Sequence, residues 1–296
     1  MTVGGTGAPS FDLQSHSRHS DGALAPAEVV AAAAQAGVEL LALSDHDNID
    51  GVPEAQAAAR EVGIGLVPAV EVTAVDVVHA DLHVLGYLVD PTDATLLERL
   101  EGFRAQREGR SDQIVARIRE LGFEVQESIL DARAAEGKSI GRPHIAQAVV
   151  AHPANAARLA EEQRTEPTAF LVGYLIEGTP AFVAREGPSV PDAIATIHKA
   201  GGVAVWAHPF WDVPEDDAVL ATIERFRGYG VDGVECFYAT HTQAQTELIA
   251  TRCEQLGLLS TGSSDFHGPE HRQFSRFRAF STYGLTPRLG PLAEVA

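Results

Sequence analysis

The stretch Glu39-Leu40-Leu41-Ala42-Leu43-Ser44-Asp45-His46-Asp47 carries an apolar run directly into a cluster of polar and ionisable side chains. Glu39 to Ser44 reads as a strand, and the residues that close it are the kind that do chemistry. Working outward, Ser10 to Gln14 reads as a short strand before it. Pro26 opens an Ala-rich helix to Ala36, with proline in the first turn and Gly37 just past the end. Pro53 to Val62 reads as a second helix, Gly65 to Val72 as a third strand and His83 to Val89 as a fourth.

After Asp90 the rhythm changes. Thr92 to Leu121 is a long charged helical stretch, and further helical pieces fall around Pro143 to Val150 and Asn155 to Arg164. A strand is expected at Ala181 to Ala184. Alternation then returns: Ser189 and Asp192 form a capping-box-like start for a helix running to Ala200. Strands follow at Val203 to Ala207, Val231 to Phe237 and Leu258 to Gly262, separated by helices near 215–228 and 241–256. This pattern predicts an α/β fold with a parallel sheet covered by helices. Seven strands in the alternating regions point to an irregular, distorted (β/α) barrel with a mainly helical insertion, within the length barrels tolerate. The expected division is 10–98 for the first part of the barrel, 99–186 for the insertion and 187–296 for the rest.

A chain of 296 residues, 45% of them hydrophobic, can bury such a core. The formal net charge of −19 gives no general attraction for nucleic-acid polymers or anionic membranes, so neither a long duplex nor a membrane is an expected partner. An anionic substrate would need local positive charge, from bound metal or a few placed Arg and Lys. Met1 to Pro9 is Gly-rich, with no basic n-region and no apolar h-region. No apolar run approaches the roughly 18 residues of a membrane span. The two cysteines, Cys236 and Cys253, are too few for a disulfide framework. A cytoplasmic, reduced protein without an obligate protein partner is the expectation.

Ionisable residues recur where strands end. Gln14 and His16 close the first strand two residues apart, on one face of an extended chain, and Asp21 follows in the loop. Ser44-Asp45-His46-Asp47 closes the second, Glu71 the third, and His83 lies on the fourth. His208, in Ala207-His208-Pro209, ends the next; Glu235 ends the one after; Asp265 and His267, in Ser263-Ser264-Asp265-Phe266-His267, follow the last. The C-terminal strand ends of an α/β barrel converge on one mouth. Turn and capping chemistry would explain any one of these residues alone. A buried His or carboxylate after nearly every strand is different, because desolvation and like-charge repulsion penalise it. Shared divalent cations remove that penalty, and carboxylate with imidazole suits zinc, manganese and iron.

These segments resemble the polymerase and histidinol phosphatase (PHP) family. Its Asp-Leu-His-x-His-Ser opening, followed by Ser-Asp-Gly, corresponds to Asp12-Leu13-Gln14-Ser15-His16-Ser17 and Ser20-Asp21-Gly22. Its Thr-Asp-His-Asp is Ser44-Asp45-His46-Asp47, and its Gly-x-Glu-x-(Ser/Thr) is Ala69-Val70-Glu71-Val72-Thr73. The His-x-Leu-Gly-Tyr strand is His83-Val84-Leu85-Gly86-Tyr87, and the Ala-His-Pro and Ser-Asp-x-His motifs follow in order.

The resemblance implies a barrel holding two or three divalent metal ions. Gln14, His16, Glu71 and Asp265 would hold the first, with Glu71 bridging to a second bound by His83 and His208. Asp21, His46 and His267 would hold a third. Glu71, Asp265 and His208 are the expected catalytic residues, and a metal-activated hydroxide the expected nucleophile. The family has His where this chain has Gln14, a weaker and neutral ligand. That departure favours manganese, with zinc or iron as alternatives.

The insertion resembles that of PHP enzymes acting on nucleotides, the 3′,5′-nucleoside bisphosphate phosphatases and 5′–3′ exoribonucleases. It would cap the barrel, with Arg142, His144 and Arg185 gripping phosphate and His241 as a further substrate contact. The expected function is hydrolysis of phosphate esters of small nucleotides. The alternatives are another small phosphomonoester as substrate, or a metal-poor phosphate-binding domain without catalysis. Gln14 speaks for the second of these and the other ligand positions speak against it. A C–N hydrolase of the amidohydrolase type would place a Lys at a strand end, and none is there.

Overall fold

The computed structural model of the chain describes residues 9–79, 82–135, 140–184 and 186–295. They divide into two compact units, one from the described parts of Met1–Glu101 and Pro188–Ala296, the other from those of Gly102–Gly187.

The first unit is a seven-stranded sheet in sequence order: β1 (Phe11–Asp12), β2 (Leu40–Leu43), β3 (Gly65–Ala74), β4 (Leu82–Tyr87), β5 (Val203–Trp206), β6 (Gly233–Tyr238) and β7 (Leu259–Ser263). Leu13 N–H donates to Gly262 O at 3.1 Å and Ser15 bridges to Phe266, so the last strand lies beside the first in a near-closed barrel. These strands are apolar on both faces because helices cover the outside while side chains fill the inside. Leu41, Val70, Leu85, Trp206 and Phe237 are all buried.

The covering helices start and stop where local chemistry dictates. In α1 (Pro26–Gln35), proline sits in the first turn and the Glu28 carboxylate accepts the Ala25 N–H at 2.8 Å. α2 (Val52–Val62) ends at Gly63 in the left-handed region, φ 78°. The Ser189 side chain caps α8 (Val190–Lys199), which lies close enough to β4 that a Cβ at Gly86 would meet Ile197 at 2.8 Å. The short α9 (Pro209–Asp212) follows β5, and α10 (Asp216–Tyr229) sets Phe226 edge-on to Trp206, with ring centroids 5.2 Å apart. α11 (Gln243–Leu256) opens with a capping box between Thr242 and Gln245.

The sheet is not all parallel, as the alternation had suggested. β4 runs antiparallel to both β3 and β5, while the other pairs are parallel. Residues 75–81 are too few for the dozen or more that a parallel crossover needs, so the chain turns straight back. β4 therefore begins at the mouth where its neighbours end.

The second unit takes most of α3 (Ala94–Glu120), with α4 (Glu127–Ala135), α5 (Arg142–Ala151), α6 (Ala156–Glu161) and α7 (Pro167–Tyr174). Its core includes Ile118, Phe123, Ile145, Val149 and Phe170. The Arg158 guanidinium lies 3.8 Å from the centroid of the Phe123 ring. The strand expected at Ala181 to Ala184 does not form. Ala181 N–H donates to Tyr174 O at 3.0 Å and Phe182 N–H to Thr179 O at 3.1 Å. The segment is a turn packed on helices, and the described residues of this unit offer no strand to pair with it. Among the described residues no helix is long and apolar enough to cross a membrane.

Candidate metal centre

Glu71, in the second half of β3, is fully buried, and its two carboxylate oxygens face different sets of partners. Oε1 lies 2.8 Å from His83 Nδ1 and 3.0 Å from His208 Nε2, and those nitrogens are 3.2 Å apart. Oε2 lies 3.1 Å from His16 Nε2 and 3.7 Å from His46 Nδ1, and accepts from Gln14 Nε2 at 2.8 Å. His16 Nε2 is also 3.0 Å from Asp265 Oδ1. Around Asp21, one oxygen is 3.6 Å from His16 Nδ1 and 3.5 Å from His267 Nε2, and the other 3.7 Å from His46 Nε2. All nine residues singled out as metal ligands in the sequence therefore meet at one mouth. Gln14 comes as an amide donor to Glu71 rather than as an oxygen facing the cluster.

A set of buried side chains with no free role holds this cluster. Asp45 accepts from Ser17 N–H, Ser17 Oγ and Ser20 Oγ, each at 2.7 Å, and so folds the loop between His16 and Asp21. Asp47 accepts from Thr73 N–H at 2.9 Å and Thr73 Oγ1 at 3.1 Å, pinning β3 beside Glu71. Asp12 accepts from Ser264 N–H, Ser264 Oγ and Arg278 N–H, fixing the turn that carries Asp265. Tyr238 donates its hydroxyl to Asp265 Oδ2 at 2.7 Å, and Asp212 lies 3.4 Å from His208 Nδ1. The backbone is strained at three of these points: φ is +28° at His208, +47° at Asp47 and +54° at Asp265. Left-handed conformations at non-glycine residues cost on the order of 1–3 kcal/mol each and persist where contacts over-determine them. His208 also precedes Pro209, which further restricts its backbone.

Burial opposes every charge here, and the neighbours decide the outcome. Desolvation pushes His16 towards neutrality, but Asp265, Glu71 and Asp21 outweigh it and hold its pKa well above the usual imidazole range. His208 is likewise raised against burial, by Asp212 and Glu71. Burial favours the acid form of Glu71, yet His46, His83, His16 and His208 hold it well below the usual carboxylate range. Against the same burial, His267 and His16 bring Asp265 down to about 2. His46, with less compensation, falls to about 4 through burial. Glu71, Asp21 and Asp265 are thus held ionised and His16 and His208 carry protons that balance them, while burial leaves His46 neutral and pushes the Glu235 carboxyl up to about 8. A divalent cation fits this donor set because it takes the place of those protons, given ligand atoms that lie within 4.8 Å of one another in each cluster.

Arg142 is the first residue of α5, and His144 Nδ1 accepts the Gly141 N–H at 3.0 Å to cap that helix; both belong to the second unit. Arg185 lies outside the described residues. His241 is in the barrel unit, buried between the Phe210 and Tyr238 rings, and burial lowers its pKa to about 4. Its Nδ1 lies 3.1 Å from Cys236 O, and no partner meets Nε2 among the described residues. It is a neutral ring with the proton on Nδ1 and an acceptor at Nε2. Tyr238 and Asp212 carry no motif; their positions, at a strand end and one helical turn after His208, were the available signals.

The PHP domain model matches residues 12–152 of this chain. A 5′–3′ exoribonuclease of Haemophilus influenzae is 33% identical over 259 residues, 88% of this chain and 90% of that one. A 3′,5′-nucleoside bisphosphate phosphatase of Chromobacterium violaceum is 33% identical over 264 residues, 88% of each chain. A solved structure from Bifidobacterium adolescentis, provisionally named a metal-dependent phosphoesterase, superposes with a TM-score of 0.71 at 28% identity, covering 90% of this chain and 91% of that one.

Proposed function

The chain belongs to the PHP family, and on that premise we propose that it is a metal-dependent phosphoesterase acting on small nucleotides, nucleoside 3′,5′-bisphosphates or short oligonucleotide ends. The observation that carries this reading is Glu71, whose two oxygens face separate imidazole sets at 2.8–3.7 Å. A carboxylate so placed is suited to bridge two cations, and buried ion pairs of this density are otherwise costly. Divalent cations held here would lower the pKa of a bound water and neutralise charge developing at phosphorus.

The side chains then divide the work. Gln14, His16, Glu71 and Asp265 are the first ligand set, His83, His208 and Glu71 the second, and Asp21, His46 and His267 the third. Tyr238 and Asp212 orient Asp265 and His208. Manganese is the proposed ion, on the oxygen-rich first set. The second unit is the proposed specificity element, where Arg142 and Arg185 supply the positive charge that a chain of net charge −19 lacks overall, with His144 as a further phosphate contact. His241, being neutral, is suited to accept a hydrogen bond from a substrate hydroxyl rather than to pair with phosphate. A cytoplasmic location suits Cys236 and Cys253, which are buried free thiols with sulfurs 3.6 Å apart.

The test is phosphate release from a panel of nucleoside 5′-monophosphates, 3′,5′-bisphosphates and short 5′-phosphorylated oligonucleotides by the manganese-loaded protein. The reading expects bisphosphates or oligonucleotide ends to be preferred over a simple aryl phosphate. Equal rates across the panel would remove the nucleotide from the proposal.

A further inference from the structure

Gln14 stands where the family motif has His, and its surroundings say what the amide does there. Nε2 donates to Glu71 Oε2 at 2.8 Å, while Oε1 lies 3.3 Å from Ser263 Oγ. Ser263 Oγ is also 2.6 Å from Glu235 Oε1, and Glu235 Oε2 accepts the His208 N–H at 2.9 Å. Gln14, Glu71, Glu235 and Ser263 are all fully buried. A hydroxyl has one proton, and with Glu235 as the carboxylate two acceptors, Gln14 Oε1 and Glu235 Oε1, both face it. A half-turn of the amide exchanges its oxygen and nitrogen in nearly the same positions. In that state Nε2 donates to Ser263 Oγ, Ser263 donates to Glu235 Oε1, and no donor is contested. The same half-turn sets Gln14 Oε1 against Glu71 Oε2 at the 2.8 Å separation, where two acceptor oxygens repel unless a cation lies against both.

We propose that Ser263 and Glu235 are positioning residues that hold the Gln14 amide half-turned, so that its oxygen becomes a metal ligand beside Glu71. The first ligand set is then three oxygens, from Gln14, Glu71 and Asp265, with the single nitrogen of His16. Such an oxygen-rich set suits a hard cation such as manganese. The amide follows occupancy: its nitrogen faces Glu71 without metal and its oxygen does so with metal. This inference rests on the metal-centre reading above.

The experiment measures manganese bound per chain, and each dissociation constant, by competition with a chromophoric chelator. Wild type is compared with Gln14→Met, Ser263→Ala and the double variant. Either single change should weaken one equivalent by roughly 10- to 100-fold and leave the others alone. The double variant should be no weaker than Gln14→Met, since Ser263 acts only through the amide. Gln14→Met binding every equivalent as tightly as wild type would overturn the proposal, as would fully additive losses in the double variant. Anomalous diffraction from manganese-soaked wild-type crystals needs no variant to fold. A peak within about 2–2.5 Å of the Gln14 amide is expected, and a filled cluster with no peak in that range overturns the inference. Wild type that binds no divalent cation would instead overturn the metal-centre reading itself.

Discussion

Glu71 and His83 stand on neighbouring antiparallel strands two residues out of register, Glu71 opposite Leu85 and His83 opposite Thr73, and their side chains meet at 2.8 Å. Diagonal neighbours on one face of an antiparallel pair are within reach of long side chains. The contact exists because β4 reverses direction, which delivers the start of that strand to the mouth where the other strands end. His83→Asn should therefore remove one metal equivalent, measurable by elemental analysis, while leaving the others. An unchanged metal count would separate His83 from the second ligand set.

Glu71 is the residue through which all the imidazoles of the first two sets communicate. Glu71→Gln should lower metal content and cut turnover by at least roughly 100-fold, with far-UV circular dichroism near that of wild type. Full turnover in a folded, metal-depleted Glu71→Gln protein would contradict the proposed chemistry.

Metal binding should strengthen as pH rises. His16 and His208 are held protonated above the usual imidazole range by their carboxylate neighbours, and both must lose those protons to ligate. The manganese dissociation constant should fall between about pH 6 and pH 8, with net proton release in calorimetry across buffers of different ionisation enthalpy. A pH-independent constant would mean that neither ring coordinates.

How much of this was legible in the sequence depended on what each residue must do alone. The seven strands and the convergence of nine side chains on one mouth could be read because each strand end carries its own ionisable residue beside an apolar run. The direction of β4 could not be read from Leu82 to Tyr87, since alternation and composition are the same for either direction. It follows only from the shortness of 75–81. The turn at Ala181 to Ala184 read as a strand because all four of its residues are apolar; Ala181 and Val183 are indeed buried, but against helices. Tyr238 was invisible for another reason: its hydroxyl matters only once β6 and β7 are placed side by side.

Tyr238→Phe should accordingly leave the fold intact and weaken the site. Loss of the hydroxyl that holds Asp265 Oδ2 should cost roughly 10-fold in manganese affinity or turnover. Wild-type values for both would reduce Tyr238 to packing.

The second unit should govern specificity and the barrel should govern chemistry. A guanidinium-to-phosphate contact contributes on the order of 1.5–3 kcal/mol, so Arg142→Ala should cost roughly 10- to 150-fold in kcat/KM for a nucleoside bisphosphate. A minimal aryl phosphate should lose much less. Equal losses on both substrates would mean that Arg142 serves the reacting phosphate or the fold.

The most direct measurement is a metal titration of one metal-depleted sample, with bound metal per chain and phosphate release from a nucleoside 3′,5′-bisphosphate read together. If the cluster around Glu71 is the reaction centre, the depleted protein is inactive and release climbs in step with occupancy, reaching its plateau at two or three ions per chain, the sets centred on Glu71 and Asp21. Release that is undiminished by metal removal, or a protein saturated with metal that frees no phosphate from any nucleotide, would contradict it.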